Sequence, residues 1–345
     1  MSYTNGLDKP TDYFNTVIYT GTGATQSITV GFQPDLVWGK SRSGSGYHHN
    51  LVDSVRGNTK YLESDRANAE NTLTDAVTSF TSDGFTLGAD AGDREFNENN
   101  NSMVAWNWLA SNTTASNTDG SITSTVSANT TSGFSIVSYT GTGSTATVGH
   151  GLGTAPAMII IKARSFSEEW LVYHQSMGNT DAINLNLTNA KSSSVNYWQN
   201  TTPSSSVVYI GANDKHNKSS ETYIAYCFEE KKGFSKFGSY TGNGNADGTF
   251  VYTGFSPSFV MVKKTNGTGN WVMFDNKRNT FNVVNKRLVA NLSDDEGTSD
   301  RLDFLSNGWK FRSTATNVNG SDSYIYMCFA SSPFVTSTGI PTTAR

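Results

Sequence analysis

One stretch, present three times, limits this chain more than any other feature. Tyr19 to Lys40 reads YTGTGATQSITVGFQPDLVWGK, Tyr139 to Lys162 reads YTGTGSTATVGHGLGTAPAMIIIK, and Tyr240 to Lys263 reads YTGNGNADGTFVYTGFSPSFVMVK. Each copy opens Tyr-Thr-Gly-X-Gly and passes a Gly-X-X-Pro (Gly31 to Pro34, Gly153 to Pro156, Gly254 to Pro257). Each ends in an apolar run whose Lys stands six residues after the Pro. An aromatic precedes each copy: Phe14, Phe134 and Phe234. A second match follows, LVDSVRGN at 51–58, VYHQSMGN at 172–179 and MFDNKRNT at 273–280. A closing strand ends at Trp108, Phe228 or Phe329, which is 68, 66 and 66 residues after the Lys. Spacing held that well predicts tandem copies of one structural unit, each of roughly 95 residues, an ordinary size for a small domain.

The pattern divides the chain into an arm over 1–12, a first β module over 13–110, and a polar linker over 111–132. A second module over 133–231, a third over 232–334 and a tail over 335–345 complete it. The linker, SNTTASNTDGSITSTVSANTTS, carries almost no bulky apolar residues, and reads as a spacer or as an exposed ribbon lying across the first two modules. Apolar runs alternate with Gly-, Asn- and Asp-rich turns at short intervals. Ser82-Asp83-Gly84 and Ser306-Asn307-Gly308 lie between apolar segments and predict hairpins. Helical periodicity is nearly absent; residues 59–76 are the only part of the first module expected to carry a helical turn. The fold class read from this is all-β, three tandem β-sandwich modules of jelly-roll or lectin-like type with extended terminal segments. Lys40 is expected to end its buried strand in solvent.

Composition narrows the function. Charged residues are 16% of 345, and the net charge is −4. No concentrated basic footprint of the kind nucleic acid requires is present. The longest apolar run, Ala157 to Ile161, is too short to cross a bilayer, and the first residues do not read as a signal peptide. Cys227 and Cys328 occupy one matched position, so they are expected to lie apart as buried free thiols.

Few constellations could carry chemistry. Asp53 with Arg56, and Asp275 with Arg278, share one module position and an i, i+3 spacing; the second module has His174 and Met177 there. They predict structural ion pairs that fix a loop. Adjacent carboxylates (Glu95 and Glu98, Glu168 and Glu169, Glu229 and Glu230, Asp294 to Glu296) recur at no matched position and are expected to face water. The five histidines form no metal or nucleophile motif. The loop over 90–101, DAGDREFNENNN, offers oxygen ligands without EF-hand spacing and reads as an ordinary solvated loop. Neither a catalytic residue, a cofactor nor a metal ligand is assigned. Trp38, Trp106, Trp108, Trp170 and Trp271 are expected in cores. Trp198, set among polar residues with Asn196 and Tyr197 and without a counterpart, is the ring best placed to contact a ligand.

The phrases PTDYFNTVIYTGTG, GFQPDLVWGKSR, TSFTSDGFTLG, SYTGTGSTATVGHGLGTAPAMIIIK, YIAYCF, GFSKFGSYTGNG and YIYMCFAS resemble structural proteins of marine tailed phages, over about residues 10–334. Members of that group are described as virion, tail or fibre-associated proteins with concanavalin-like β modules. The resemblance implies a non-enzymatic component on the exterior of a phage particle, on the tail or the capsid surface. Its first implied role is adhesin-like contact with the host surface, with host polysaccharide as a partner; its second is capsid decoration or a head fibre. A polysaccharide-degrading enzyme is the third reading. No tail-anchoring domain or heptad stalk is recognisable, so contacts with other virion proteins are expected through the N-terminal arm and the C-terminal tail. The symmetry habit of tail and fibre proteins leads us to expect a homo-oligomer, with a trimer first.

Overall fold

The computed structural model describes residues 7–44, 46–92, 96–331, 334–335 and 341–342. It is built almost wholly of antiparallel strands. Each repeat supplies one large sheet and one small sheet. In the first, the large sheet runs Phe14–Thr20, Ser102–Trp108, Leu36–Ser41, Asn50–Asp53, Lys60–Glu63, Asn71–Thr72. In the third, the order is Ser235–Thr241, Ser323–Ala330, Pro257–Lys264, Trp271–Asp275, Leu288–Val289. The second follows the same path from Phe134–Thr140 to Asp181–Asn184 and ends at Ser192–Ser193. It gains two strands on the other edge, Ser124–Asn129 and Ala115–Asn117, from the polar stretch between repeats. That stretch is therefore a ribbon hydrogen-bonded to the second sheet rather than a spacer. Residues 59–76 hold Lys60–Glu63 and Asn71–Thr72, both strands, and no helical turn; the sheet edge recruits them. The two predicted hairpins form, Val77–Thr81 with Gly84–Leu87 and Leu302–Leu305 with Gly308–Phe311.

The apolar run before each repeat Lys is continuous because its strand is buried on both faces. Val37, Ile159 with Ile161, and Val260 with Val262 face the small sheet of their own repeat, where each builds a separate core. Leu36 with Trp38, Met158 with Ile160, and Phe259 with Met261 face the other way, into one large core shared by all three repeats. At its centre the last aromatics of the three closing strands meet. Trp108 and Phe228 have ring centroids 6.2 Å apart, Trp108 and Phe329 5.8 Å, Phe228 and Phe329 6.2 Å. This near-equilateral triangle marks a pseudo-threefold arrangement of the large sheets. Phe14 stacks on Phe329 at 4.6 Å, tying the first repeat to the third. Cys227 and Cys328, one residue back along the same strands, point into different sandwich cores and stay free. In the third repeat Ser235, not Phe234, stands opposite the last aromatic, so the opening aromatic is displaced by one position. Phe234 still packs on Phe329 at 5.6 Å.

The Tyr-Thr-Gly-X-Gly turn has one construction throughout. The tyrosine hydroxyl donates to a main-chain carbonyl, Tyr19 to Phe96, Tyr139 to His216 and Tyr240 to Val318. The next residue after that carbonyl is always an asparagine: Asn97, Asn217 or Asn319. Its side-chain amide donates across the turn, to Ala24 and Gly88, to Ser144 and Gly211, or to Asn245 and Ser313. The first glycine lies so close to the opposite backbone that an added Cβ would stand 2.1, 2.3 or 2.0 Å from a carbonyl oxygen at Gly21, Gly141 and Gly242. Only glycine fits there.

Candidate functional site

The densest polar chemistry lies where one repeat meets the next. The repeat lysines, among them Lys40, are fully buried rather than solvated. Each donates to a carbonyl of the preceding repeat in the ring: Lys162 to Ala67 at 3.1 Å, Lys263 to Thr188 at 2.9 Å, and Lys40 to Ser293 at 3.4 Å. Burial pushes the Lys162 amine down to about 8 and the Lys263 amine down to about 7. Main-chain bonds repeat the same closure, Glu70 to Arg164 at 2.8 Å, Lys191 to Thr265 at 3.0 Å and Glu296 to Arg42 at 3.1 Å. Repeat one thus joins two, two joins three, and three joins one.

Asp53 and Arg56 sit at the first of these joints. Arg56 Nε donates to Asp53 Oδ2 at 2.5 Å, both side chains wholly buried. Asp53 Oδ2 also accepts from the Tyr226 hydroxyl of the next repeat at 2.8 Å. Glu70 bridges Arg56 at 3.3 Å to Arg164 of the next repeat, which it holds through two bonds of 2.8 and 3.0 Å. Burial pushes the Glu70 carboxyl up, but the bond from Arg164 and the charge of Arg56 outweigh it and hold the group below its ordinary range.

The third joint copies the first. Arg278 Nε donates to Asp275 Oδ2 at 2.6 Å, and that oxygen accepts from Trp106 Nε1 of the first repeat at 3.1 Å. Glu296 links Arg278 at 3.4 Å to Arg42 at 2.8 and 3.0 Å. Glu296, expected in solvent with Asp294 and Asp295, is instead largely buried, because the guanidinium groups of two repeats converge on it.

At the second joint the whole set changes together. His174, Met177, Lys191 and Thr265 replace the aspartate, the two arginines and the glutamate. The residue that matches Tyr226 and Trp106 on the third closing strand is Met327, which has no hydrogen-bond donor to offer. His174 Nε2 bonds instead to the Tyr326 carbonyl at 3.0 Å. Burial lowers the His174 imidazole to about 4, so it stays neutral. The indole N–H of Trp170 donates to the Glu63 carbonyl at 2.8 Å and that of Trp271 to the Asn184 carbonyl at 2.9 Å, again reaching back one repeat. His49 takes their place in the first repeat, next to the Val289 backbone.

Trp198 is not a ligand platform. Its ring is fully buried, its N–H donates to the Asp181 carbonyl at 2.9 Å, and Tyr173 and His216 pack edge-on against it at 5.5 and 5.4 Å. The polar residues around it are a short helical turn, Val195–Trp198, whose last ring plugs the second sandwich. Asn196 stays exposed; Tyr197 is half-buried, its hydroxyl on Ser192. In the loop over 90–101, the buried Asp90 carboxylate accepts from the Phe96 and Asn97 amides, which fixes the asparagine under the first turn. Glu95 lies outside the described residues. Among the described residues no group of three His, Cys, Asp or Glu could hold a metal ion, and no helix is long and apolar enough to cross a membrane.

Sequence reasoning missed Glu70, Arg42 and Arg164. The arginines were within reach, since Lys40-Ser-Arg42 and Lys162-Ala-Arg164 match at the same offset from the repeat Lys. Glu70 and Glu296 lie at different distances from their arginines and could not be aligned.

A domain family of unknown function, DUF7483, matches residues 9–333. The chain belongs to this family. Its match spans all three repeats and the ribbon between the first two, so the DUF7483 domain corresponds to the whole ring and not to one repeat. No curated protein and no solved structure matches the chain.

Proposed function

We propose that this DUF7483 protein is a non-enzymatic structural component on the exterior of a tailed-phage particle, a tail- or fibre-associated adhesin that contacts the host surface. The observation that carries the reading is where the charged groups are spent. Asp53, Arg56, Glu70, Arg164, Asp275, Arg278, Glu296 and the repeat lysines all tie one repeat to the next. A ring of sheets cross-linked this way is a rigid carrier for surface loops. The resemblance to structural proteins of marine tailed phages supplies the particle, and the hydroxyl- and amide-rich surface suits display in water. Particles purified from infected cells, with this protein quantified by mass spectrometry and located by labelled electron microscopy, test the reading. The expected result is a few to a few dozen copies on the tail. Hundreds of copies on the shell would favour decoration of the capsid, and absence from the particle would overturn the proposal. Release of reducing ends from host envelope polysaccharide would overturn its non-enzymatic part.

A further inference from the structure

The internal repeat serves as its own control for which surface residues the fold requires. In the small sheet of the third repeat, Phe250 stands opposite Lys310, which in turn faces Asp303, and Tyr252 stands opposite Gly308, which faces Leu305. Val251 and Trp309 point inward, so by strand alternation Phe250 and Tyr252 point out; they are 44% and 61% exposed. The matched positions in the first repeat are Ser27 and Thr29, beside Thr86 and Gly84. In the second they are Thr147 and Gly149, where Ile122 of the ribbon bridges to the intervening Val148. The glycine beneath is a packing requirement of the first and third repeats, since an added Cβ would stand 1.9 Å from the Ile28 carbonyl oxygen at Gly84 and 2.0 Å from that of Val251 at Gly308; the second repeat has Val207 there, facing Gly149. The rings are no such requirement: two other repeats build the same strand without them. Phe281, 83% exposed, lies next in sequence to Asn282, whose side chain bonds the Phe304 backbone on the far edge strand of this sheet.

The rim is charged, and the charges that flank the rings are paired. Lys310 pairs with Asp247 at 2.6 Å and Arg312 with Asp303 at 2.6 Å. These two pairs cancel beside the rings, and the exposed Arg301 stands one row further out, next to the Arg312 backbone; the surface at the rings carries no net charge while still offering donors and acceptors. An uncharged glycan matches this chemistry. The C–H face of a pyranose packs on the electron-rich face of an aromatic ring, and its hydroxyls bond to paired carboxylate and guanidinium groups. A contiguous exposed apolar patch with a polar rim marks a recognition surface.

We propose that the outer face of the third repeat's small sheet, centred on Phe250 and Tyr252, binds a neutral glycan chain; this rests on the adhesin reading. The test is an array of neutral and acidic glycans probed with the full chain and with a double variant, Phe250→Ser with Tyr252→Thr. That variant carries the residues the first repeat already places there, and unchanged circular dichroism and melting temperature confirm its fold. The expected result is retention on neutral glycans that the double variant weakens roughly tenfold or more. Retention equal in both proteins would place glycan binding elsewhere, sinking this site while leaving the adhesin reading intact. No retention by the wild type, or loss of self-association in the variant instead, would also overturn it. Particle location, tested separately, decides the adhesin reading itself.

Discussion

Asp53 and Asp275 each hold a guanidinium of their own repeat and an aromatic donor of the next, and this double role explains what stands at the remaining joint. Where the closing strand carries Tyr226 or Trp106, an aspartate accepts its hydrogen bond; where it carries Met327 at the matched position, a neutral histidine donates to a carbonyl. Asp53→Asn leaves Arg56 charged in a dry joint, and we expect it to cost about 3–5 kcal/mol in denaturant unfolding, as for other broken buried pairs. The glutamates set an acid limit. Glu70 has its folded pKa below the ordinary 4.5, so its stabilisation is complete above that value and is lost as pH falls through the folded pKa. Melting temperatures of wild type and Glu70→Gln should therefore differ at pH 7 and converge as the pH falls from 4.5 through the lower folded pKa. Lys263 runs the other way. Burial brings it from 10.5 to about 7, so the unfolded chain binds the extra proton between those values and stability rises with pH there. Wild type should gain on Lys263→Met between pH 7 and pH 10 in the same measurement.

Strands and turns were legible in the sequence to unequal degrees. The hairpins at Asp83-Gly84 and Asn307-Gly308 form where the turn residues put them. The Tyr-Thr-Gly-X-Gly turn was visible as a motif, but its anchor was not, because Asn97, Asn217 and Asn319 lie more than seventy residues further on and their surroundings in the chain differ. Residues 59–76 looked helical because local propensity takes no account of a sheet edge awaiting partners. Gly141→Ala drives a methyl to 2.3 Å from the Lys218 carbonyl oxygen, and should cost about 1–3 kcal/mol or more by overpacking. Gly153→Ala, at positive φ with nothing within 4 Å, should cost only its backbone strain, about 1–2 kcal/mol. Urea midpoints of the two variants check the order.

In the whole molecule, periodicity revealed three copies but not how they meet. Continuous apolar runs such as MIIIK say that a strand is buried on both faces without saying what covers the second one. The structure answers with a core common to all three repeats, and with buried lysines where the sequence pattern placed a solvent-facing strand end. A pseudo-threefold arrangement, expected from the sequence between copies of the chain, is present within one chain. The central claim is that the repeats are one cooperative body closed through a shared core. Differential scanning calorimetry of the intact chain tests it most directly. We predict a single transition with a calorimetric to van't Hoff enthalpy ratio of about one; separate transitions, or a ratio near three, would contradict it.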